Sequence, residues 1–225
     1  MFKTALLTAA VASGALAKGA DYPLVPVVLD YEALCPGCQT FTTGTLKDVL
    51  AKPDMAEIIA LKLVPYGNTK QNADGSFTCQ HGEGECQSDA LELCVQYKLS
   101  GDINSIETGD TSMAAWPFIL CMEEEEGDFS KGEACFNSSM NSTALSWNTV
   151  QSCYNDEYDL VMNAGMKATD PDHSYVPWVV VDGAELENSN LLQKAVCEAY
   201  TGPPPASCQR FESSITKVEK CMNQK

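Results

Sequence analysis

The feature that most constrains the fold is the motif Cys35-Pro36-Gly37-Cys38, which lies between a predicted strand and a predicted helix. The preceding run Val25–Tyr31 is apolar and rich in β-branched residues, which predicts a buried strand. After the motif, apolar residues recur at helical spacing at Phe41, Leu46, Val49 and Leu50. Proline fits the first turn of a helix, because an N–H group at that position would have no acceptor within the helix. The motif is therefore predicted to open a helix, which Lys52-Pro53 would end.

This position gives the two cysteines different predicted roles. Disulfide exchange needs a thiolate, and the free N–H groups and dipole at a helix N-terminus stabilise one. Cys35, at the helix entrance, is predicted to be the attacking thiolate, and Cys38, one turn further in, the resolving thiol. Half of a zinc site and a purely structural pair are alternatives, because a lone Cys-x-x-Cys motif has several uses. The strand and helix around it favour redox chemistry.

The order of the remaining elements is that of the thioredoxin-like fold, an α/β class. A second strand is predicted at residues 58–64, a late hairpin at 178–181 and 184–187, and a last core helix at 190–200. In that fold the proline before the third strand is cis, and here the bond is Val176–Pro177. We expect these two residues beside the cysteine pair, where their backbone would bind an extended substrate.

The middle of the chain, about residues 79–168, has helical periodicity and most of the remaining cysteines. Helices are predicted at residues 85–97, 111–125, 144–154 and 157–167. The predicted architecture is thus a thioredoxin-like fold with a helical insertion held by disulfides.

The first 17 residues resemble a secretion signal. Lys3 is a short basic region, residues 4–14 are small and apolar, and Ala15-Leu16-Ala17 fits a cleavage site. The functional domain is then residues 18–225, and no later stretch is long enough to span a membrane. Two sequons, at Asn137 and Asn141, predict surface glycosylation. The protein is expected in the secretory pathway, and the lysosome and the extracellular space both remain open.

Eleven cysteines in a secreted chain predict structural disulfides with an odd one left over. Cys197 and Cys208 are predicted to pair across the turn that follows the last helix. Six cysteines of the insertion are expected to form three bonds among themselves: 79, 86, 94, 121, 135 and 153. Cys221 is then expected to be unpaired or to link two molecules, giving a monomer with some disulfide dimer. The alternative is that Cys221 pairs with an insertion cysteine.

The formal net charge of −17 excludes nucleic acid as a partner, because phosphate contacts need clustered lysine and arginine. The one acidic run, residues 123–126, is interpreted as a solvated face or loop. Cys79, His81, Cys86 and Cys94 could in principle ligate zinc, but an oxidising compartment favours disulfides, so no metal is expected. His81 and His173 are each either a group that tunes a nearby thiol or a loop residue without chemical role.

The segment around these cysteines resembles the gamma-interferon-inducible lysosomal thiol reductases, whose signature is C-Q-H-G-x2-E-C-x2-N-x4-C. The chain matches it at Cys79, Gln80, His81, Gly82, Glu85, Cys86 and Cys94. It departs at Asp89, where the family has asparagine, and a carboxylate cannot donate as an amide does. The runs around residues 31–38, 121–124 and 173–179 are also similar to that family, so the resemblance covers nearly the whole mature chain.

The resemblance implies a reductase of protein disulfides, in the family's better-known members a lysosomal enzyme that acts at acidic pH. Its cycle would be attack by Cys35, a mixed disulfide and release by Cys38. A small thiol would restore the dithiol, since the chain contains no flavin or dinucleotide motif and no bound cofactor is expected. Two alternatives remain: an oxidase or isomerase of the secretory pathway, and a non-enzymatic binding protein held by disulfides.

Overall fold

The computed structural model describes residues 22–209, and its centre is a four-stranded sheet. Strand β1 (Val25–Tyr31) pairs in parallel with β2 (Ile59–Pro65), in a register that matches Val25 with Ile59. A short hairpin of β3 (Lys70–Gln71) and β4 (Phe77–Thr78) forms a separate two-stranded sheet. On its other side β1 pairs antiparallel with β5 (Trp178–Val181), which pairs with β6 (Ala184–Glu185), giving the order β2-β1-β5-β6. The strand that leads into the cysteine motif is therefore an inner, buried strand.

The helix that follows the motif is continuous but changes its winding. It begins as α1 (Pro36–Phe41), continues through a π-helical turn at Thr42–Leu46, and ends as α2 (Lys47–Leu50). Pro53 then opens the short helix α3 (Pro53–Ala56). The predicted break at Lys52-Pro53 is thus present, because proline blocks continuation of one helix and suits the first turn of the next.

The predicted insertion contains six helices between β4 and β5. They are α4 (Glu83–Ser100), α5 (Ser105–Thr108), α6 (Ser112–Glu124), α7 (Gly132–Ser139), α8 (Trp147–Asp156) and α9 (Tyr158–Ala168). The last helix of the described chain, α10 (Leu192–Ala199), packs against β1 and β5. Helix α4 is buried from residue 88 to residue 96 and contacts β2, α6, α8 and α9, so it forms the centre of the helical layer.

Some predicted boundaries were wrong, for local reasons. The predicted helix at 144–154 begins only at Trp147, because the Oγ of Ser146 caps it by accepting from the N–H of Thr149 at 3.2 Å. The strand predicted at 184–187 ends at residue 185, since only two residues pair with β5. Helix α7, helix α5 and the β3–β4 hairpin were not predicted, as each is too short to show a clear period.

Four disulfides hold the helices and the C-terminal turn. Three lie within the insertion, Cys79–Cys86, Cys94–Cys153 and Cys121–Cys135, and the fourth joins Cys197 to Cys208. The pairing expected between Cys197 and Cys208 and the three bonds expected among the insertion cysteines are therefore present. Cys221 and the secretion signal lie outside the described residues.

Asn137 and Asn141 are both exposed, on and just after α7. In residues 22–209, none of the helices has the length and apolar character needed to cross a membrane.

Candidate active site

The two cysteines of the motif lie at the junction between β1 and α1. Cys35 is the N-cap of α1, and its Sγ accepts a hydrogen bond from the backbone N–H of Cys38 at 3.3 Å. Its own N–H donates to the carbonyl of Glu32 at 3.1 Å, which closes the turn after the strand. Cys35 is 7% exposed and Cys38 is fully buried. Within the described chain they are the only cysteines outside a disulfide.

The surroundings separate the acidities of the two thiols. The side-chain interaction with Cys38 and the backbone N–H groups of Cys38 and Gly37 lower the pKa of Cys35 to about 6, with a further contribution from the charge of His81 and against the effect of burial. Burial, and then the neighbouring sulfur of Cys35, raise the pKa of Cys38 far above its ordinary value. The first thiol is thus prepared to be a thiolate, and the second to keep its proton.

The Val176–Pro177 bond is cis, and Pro177 lies against the motif. A Cβ atom at Gly37 would be 3.5 Å from the Cδ of Pro177 and 3.8 Å from the Sγ of Cys35. Gly37 therefore lies between Pro177 and the sulfur of Cys35, and Val176 is joined to Pro177 by the cis bond. Tyr175, just before this bond, is 44% exposed and packs edge-on against Trp178.

The signature segment forms a closed loop next to the cysteine turn. The Cys79–Cys86 disulfide joins its ends, and Gln80 accepts from the side-chain amide of Asn68 at 2.7 Å. Within the loop, Glu85 accepts from the backbone N–H of His81 at 2.9 Å and contacts the Nδ1 of the same residue at 2.5 Å. Cys94, the last cysteine of the signature, lies deeper in α4 and is bonded to Cys153 on α8.

Glu32 connects this loop to the cysteine turn. Its Oε1 accepts from the N–H of Asn68 at 2.6 Å, and its Oε2 lies 3.4 Å from the Nδ1 of His81. Burial, followed by the charge of Glu85, raises the pKa of Glu32 to about 7, against the opposing hydrogen bond from Asn68. Glu32, His81 and Glu85 are one of two sets in the described chain whose ligand atoms are close enough to share a metal ion.

The alternative zinc set from the sequence is not available in this structure. Cys79, Cys86 and Cys94 are all in disulfides, so none of them offers a thiolate. The second set of close ligand atoms, Cys79 with Glu85 and Asp89, loses its sulfur for the same reason.

Beneath the cysteine turn lie three buried carboxyl groups that sequence reasoning missed as a group. Asp89 accepts from the N–H of Ala33 at 2.9 Å, and Tyr31 donates from its hydroxyl to Glu92. Four oxygens of these three groups have no hydrogen-bond partner among residues 22–209: Asp89 Oδ2, Glu92 Oε1, and Glu123 Oε1 and Oε2. Burial raises the pKa of all three groups, that of Glu92 to about 8, so these acids hold protons far above their usual range.

The sequence carried a signal for part of this cluster. Glu85, Asp89 and Glu92 are four and three residues apart, so they share one face of α4. The interpretation of residues 123–126 as a solvated run was wrong for Glu123, which is 2% exposed, and holds for the other three, which are exposed. Glu123 is in the last turn of α6, four residues after the buried Ile119, so it lies on the buried face of that helix.

No hydrogen bond or ion pair among residues 22–209 joins His173 to the cysteine turn. Its Nδ1 lies 2.6 Å from the carbonyl of Asp170, in the loop that leads to the cis proline. Of the two histidines, only His81 is held against the turn that carries Cys35.

Comparison with known proteins agrees with this geometry. A family model described as "Gamma interferon inducible lysosomal thiol reductase (GILT)" matches residues 26–139. A protein of Carassius auratus named "Gamma-interferon-inducible lysosomal thiol reductase" is 32% identical over 211 residues, which is 88% of this chain and 77% of the relative. The Mus musculus protein of that name is 33% identical over 204 residues, covering 87% and 76%. "Gamma-interferon-responsive lysosomal thiol protein" of Arabidopsis thaliana is 34% identical over 207 residues, covering 87% and 80%.

Solved structures show the fold. BdbD from Bacillus subtilis superposes with a TM-score of 0.52 at 15% identity, over 79% of this chain and 90% of that one. DsbA from Mycobacterium tuberculosis gives a TM-score of 0.51 at 16% identity, over 88% and 92%. The expected thioredoxin-like fold is confirmed. With this fold and with relatives of that kind over most of its length, the chain is a thiol-disulfide oxidoreductase that belongs to the gamma interferon inducible lysosomal thiol reductase family.

Proposed function

We propose that this enzyme reduces disulfides of protein substrates with the Cys35–Cys38 dithiol. The observation that supports this most is the helix N-terminal Cys35, whose pKa is lowered to about 6. At pH 5 about one such thiol in ten is a thiolate, against roughly one in 3,000 for a thiol of ordinary pKa. A reactive thiolate thus survives in acid, where most cysteines are inert.

The reaction would proceed in two exchanges. The Cys35 thiolate attacks one sulfur of the substrate disulfide, that S–S bond breaks, and the other substrate sulfur leaves as a thiolate that takes up a proton. Cys38 then loses its proton and attacks the Sγ of Cys35, which releases the second substrate thiol. The substrate has gained two electrons and two protons, and the enzyme has gained the Cys35–Cys38 disulfide.

The substrate would be an extended protein segment. Pro177 lies next to the motif, and the backbone N–H and C=O groups of Val176, just before it, would pair with a strand of the substrate. Exposed Tyr175 offers an apolar surface beside it. We assign substrate binding to Val176 and Pro177 on this ground.

Two small thiols would restore the dithiol and leave as their own disulfide, so no bound cofactor is needed. The proposed setting is an acidic endosomal, lysosomal or secreted compartment, reached by way of the signal at residues 1–17. Glycans at Asn137 and Asn141 would belong to the same route, and both side chains are exposed. The protein would be chiefly monomeric, with a disulfide dimer through Cys221.

The test is reduction of insulin at pH 4.5 and pH 7 with wild type, Cys35→Ser and Cys38→Ser. We expect wild type to be active at pH 4.5 and both variants to be inactive. On non-reducing gels Cys38→Ser should accumulate a mixed disulfide with insulin, because the resolving thiol is gone, and Cys35→Ser should accumulate none. Trapping by Cys35→Ser instead would reverse the assigned roles.

A measurement of the reduction potential of the wild-type protein decides whether it acts as a reductase or as an oxidase. We expect equilibration with glutathione buffers to give a reduction potential low enough for the dithiol to reduce insulin. A strongly oxidising potential, together with faster oxidation of a reduced unfolded protein than reduction of insulin, would identify an oxidase.

A further inference from the structure

The imidazole of His81 is held in one orientation by its loop. The Cys79–Cys86 disulfide closes the loop, and Glu85 accepts from the backbone N–H of His81 while its second oxygen contacts Nδ1 at 2.5 Å. Asn68 fixes the neighbouring Gln80 at 2.7 Å. The side chain of His81 stays 31% exposed, so it can exchange protons with solvent.

Two carboxyl groups face the same nitrogen. Glu85 belongs to α4, and Glu32 to the turn after β1, where its Oε2 lies 3.4 Å from Nδ1 of His81. This Oε2 is buried and has no hydrogen-bond partner in the described part of the chain. Although burial lowers the pKa of His81, the bond to Glu85 and the charges of Glu85, Glu32 and Cys35 raise it above its ordinary value. The ring is thus a cation in acid.

The loop also packs against the turn that carries Cys35. The N–H of Cys35 donates to the carbonyl of Glu32, the residue whose side chain faces His81. At the start of α4, a Cβ atom at Gly84 would be 3.6 Å from the Cδ1 of Leu34, in ordinary contact. A cation fixed at this point lies beside the turn that carries Cys35, and its charge contributes to the lowered pKa of that thiol.

We infer that His81, held as an imidazolium between Glu85 and Glu32, is a positioning residue that stabilises the thiolate of Cys35. This rests on the proposed function and gives the signature loop a task in it. The charged or titratable groups around the thiolate are Cys38 on α1, Glu32 on the turn and His81 on the loop, while Glu123 of α6 faces the pair from below. His81 is the one cation in this set, so its removal leaves the thiolate among neutral or negative groups.

The first test is the pH profile of Cys35 alkylation by iodoacetamide from pH 4 to pH 9, followed by peptide mass spectrometry. The charge of His81 is one of several contributions that lower the pKa of Cys35, so we take the lower end of the usual range for an opposite charge, about one unit. In His81→Gln, Cys35 should therefore react about tenfold more slowly than in wild type at pH 5. At pH 9 the two proteins should react equally fast, because Cys35 is ionised in both. His173→Gln is the matched control and should follow wild type, since that histidine contacts the carbonyl of Asp170 and is not among the groups that shift the pKa of Cys35. A His81→Gln profile that coincides with wild type overturns the inference, as does an equal loss of rate at all pH values.

The second test does not depend on that variant. Coupling between two sites is reciprocal, so removal of the anion in Cys35→Ser should lower the pKa of His81 measured by NMR. The untagged chain has only two histidines, and His173→Gln assigns the spectrum. An unchanged pKa of His81 contradicts the inference. If both tests succeed and wild type still fails to reduce insulin, the proposed function is wrong while the coupling of His81 to Cys35 stands.

Discussion

The buried carboxyl groups predict that this protein loses stability as the pH rises from acid to neutral. The pKa of Glu92 is raised to about 8 by burial, against the hydrogen bond from Tyr31, from an ordinary value of 4.5. The folded state therefore keeps a proton that the unfolded chain releases above about pH 4.5. Stability from this group is complete below that pH and is lost as the pH rises towards 8.

The magnitude follows from the two pKa values. Each pH unit within this window costs about 1.4 kcal/mol, so about 3 kcal/mol is lost between pH 4.5 and pH 7 for Glu92 alone. Glu92→Gln removes the titration but keeps an oxygen that can accept from Tyr31. We expect its stability, relative to wild type, to improve by about 3 kcal/mol over this interval.

Urea unfolding followed by tryptophan fluorescence at pH 4.5, 5.5, 6 and 7 measures the effect. Glu107→Gln, an exposed carboxyl on α5, is the control and should track wild type at every pH. Parallel loss of stability in wild type and Glu92→Gln would refute the reasoning, because it would mean that Glu92 has the same pKa in the folded protein as in the unfolded chain.

Two further outcomes concern the framework that holds the site. Replacing Cys94 and Cys153 together by alanine opens a cross-link with a sequence separation of 59, and chain entropy predicts a loss of about 4 kcal/mol in urea unfolding. Gly127→Ala should destabilise the protein much more than Gly101→Ala, measured in the same way. Both glycines have positive φ, 67° and 74°, but a Cβ at position 127 would meet the carbonyl of Ala33 at 2.2 Å, whereas position 101 is open. Equal losses would mean that only backbone strain matters at these sites.

The parts of the site that could be predicted from sequence are those built by local patterns. The strand–motif–helix order of residues 25–50 is visible as a continuous apolar, β-branched run followed by apolar residues at helical spacing. The Cys197–Cys208 bond is visible because a short turn brings the two residues together. The pairing inside the insertion was limited to a set of six cysteines, since spacing alone does not choose among helices that meet in space.

The acidic groups show why the rest was not predictable. An aspartate or glutamate in a sequence predicts a side chain exposed to solvent, since burial of an unpaired charge is costly. Glu32, Glu92 and Glu123 become buried only because β1, α4 and α6 meet beneath the cysteine turn, and no local pattern encodes that meeting. Asp89, noticed only as a departure from the family signature, accepts from the N–H of Ala33, a bond that the amide oxygen of an asparagine can also accept.

These features act together through charge. In acid the buried carboxyl groups and Glu32 are largely protonated, His81 is a cation, and the backbone N–H groups of α1 still stabilise the thiolate of Cys35. Above about pH 7 Glu32 ionises beside that thiolate, which adds a repulsive charge. The arrangement that protects the fold in acid is thus also the one that keeps Cys35 a nucleophile there. This is the physical ground for the acidic compartment proposed above.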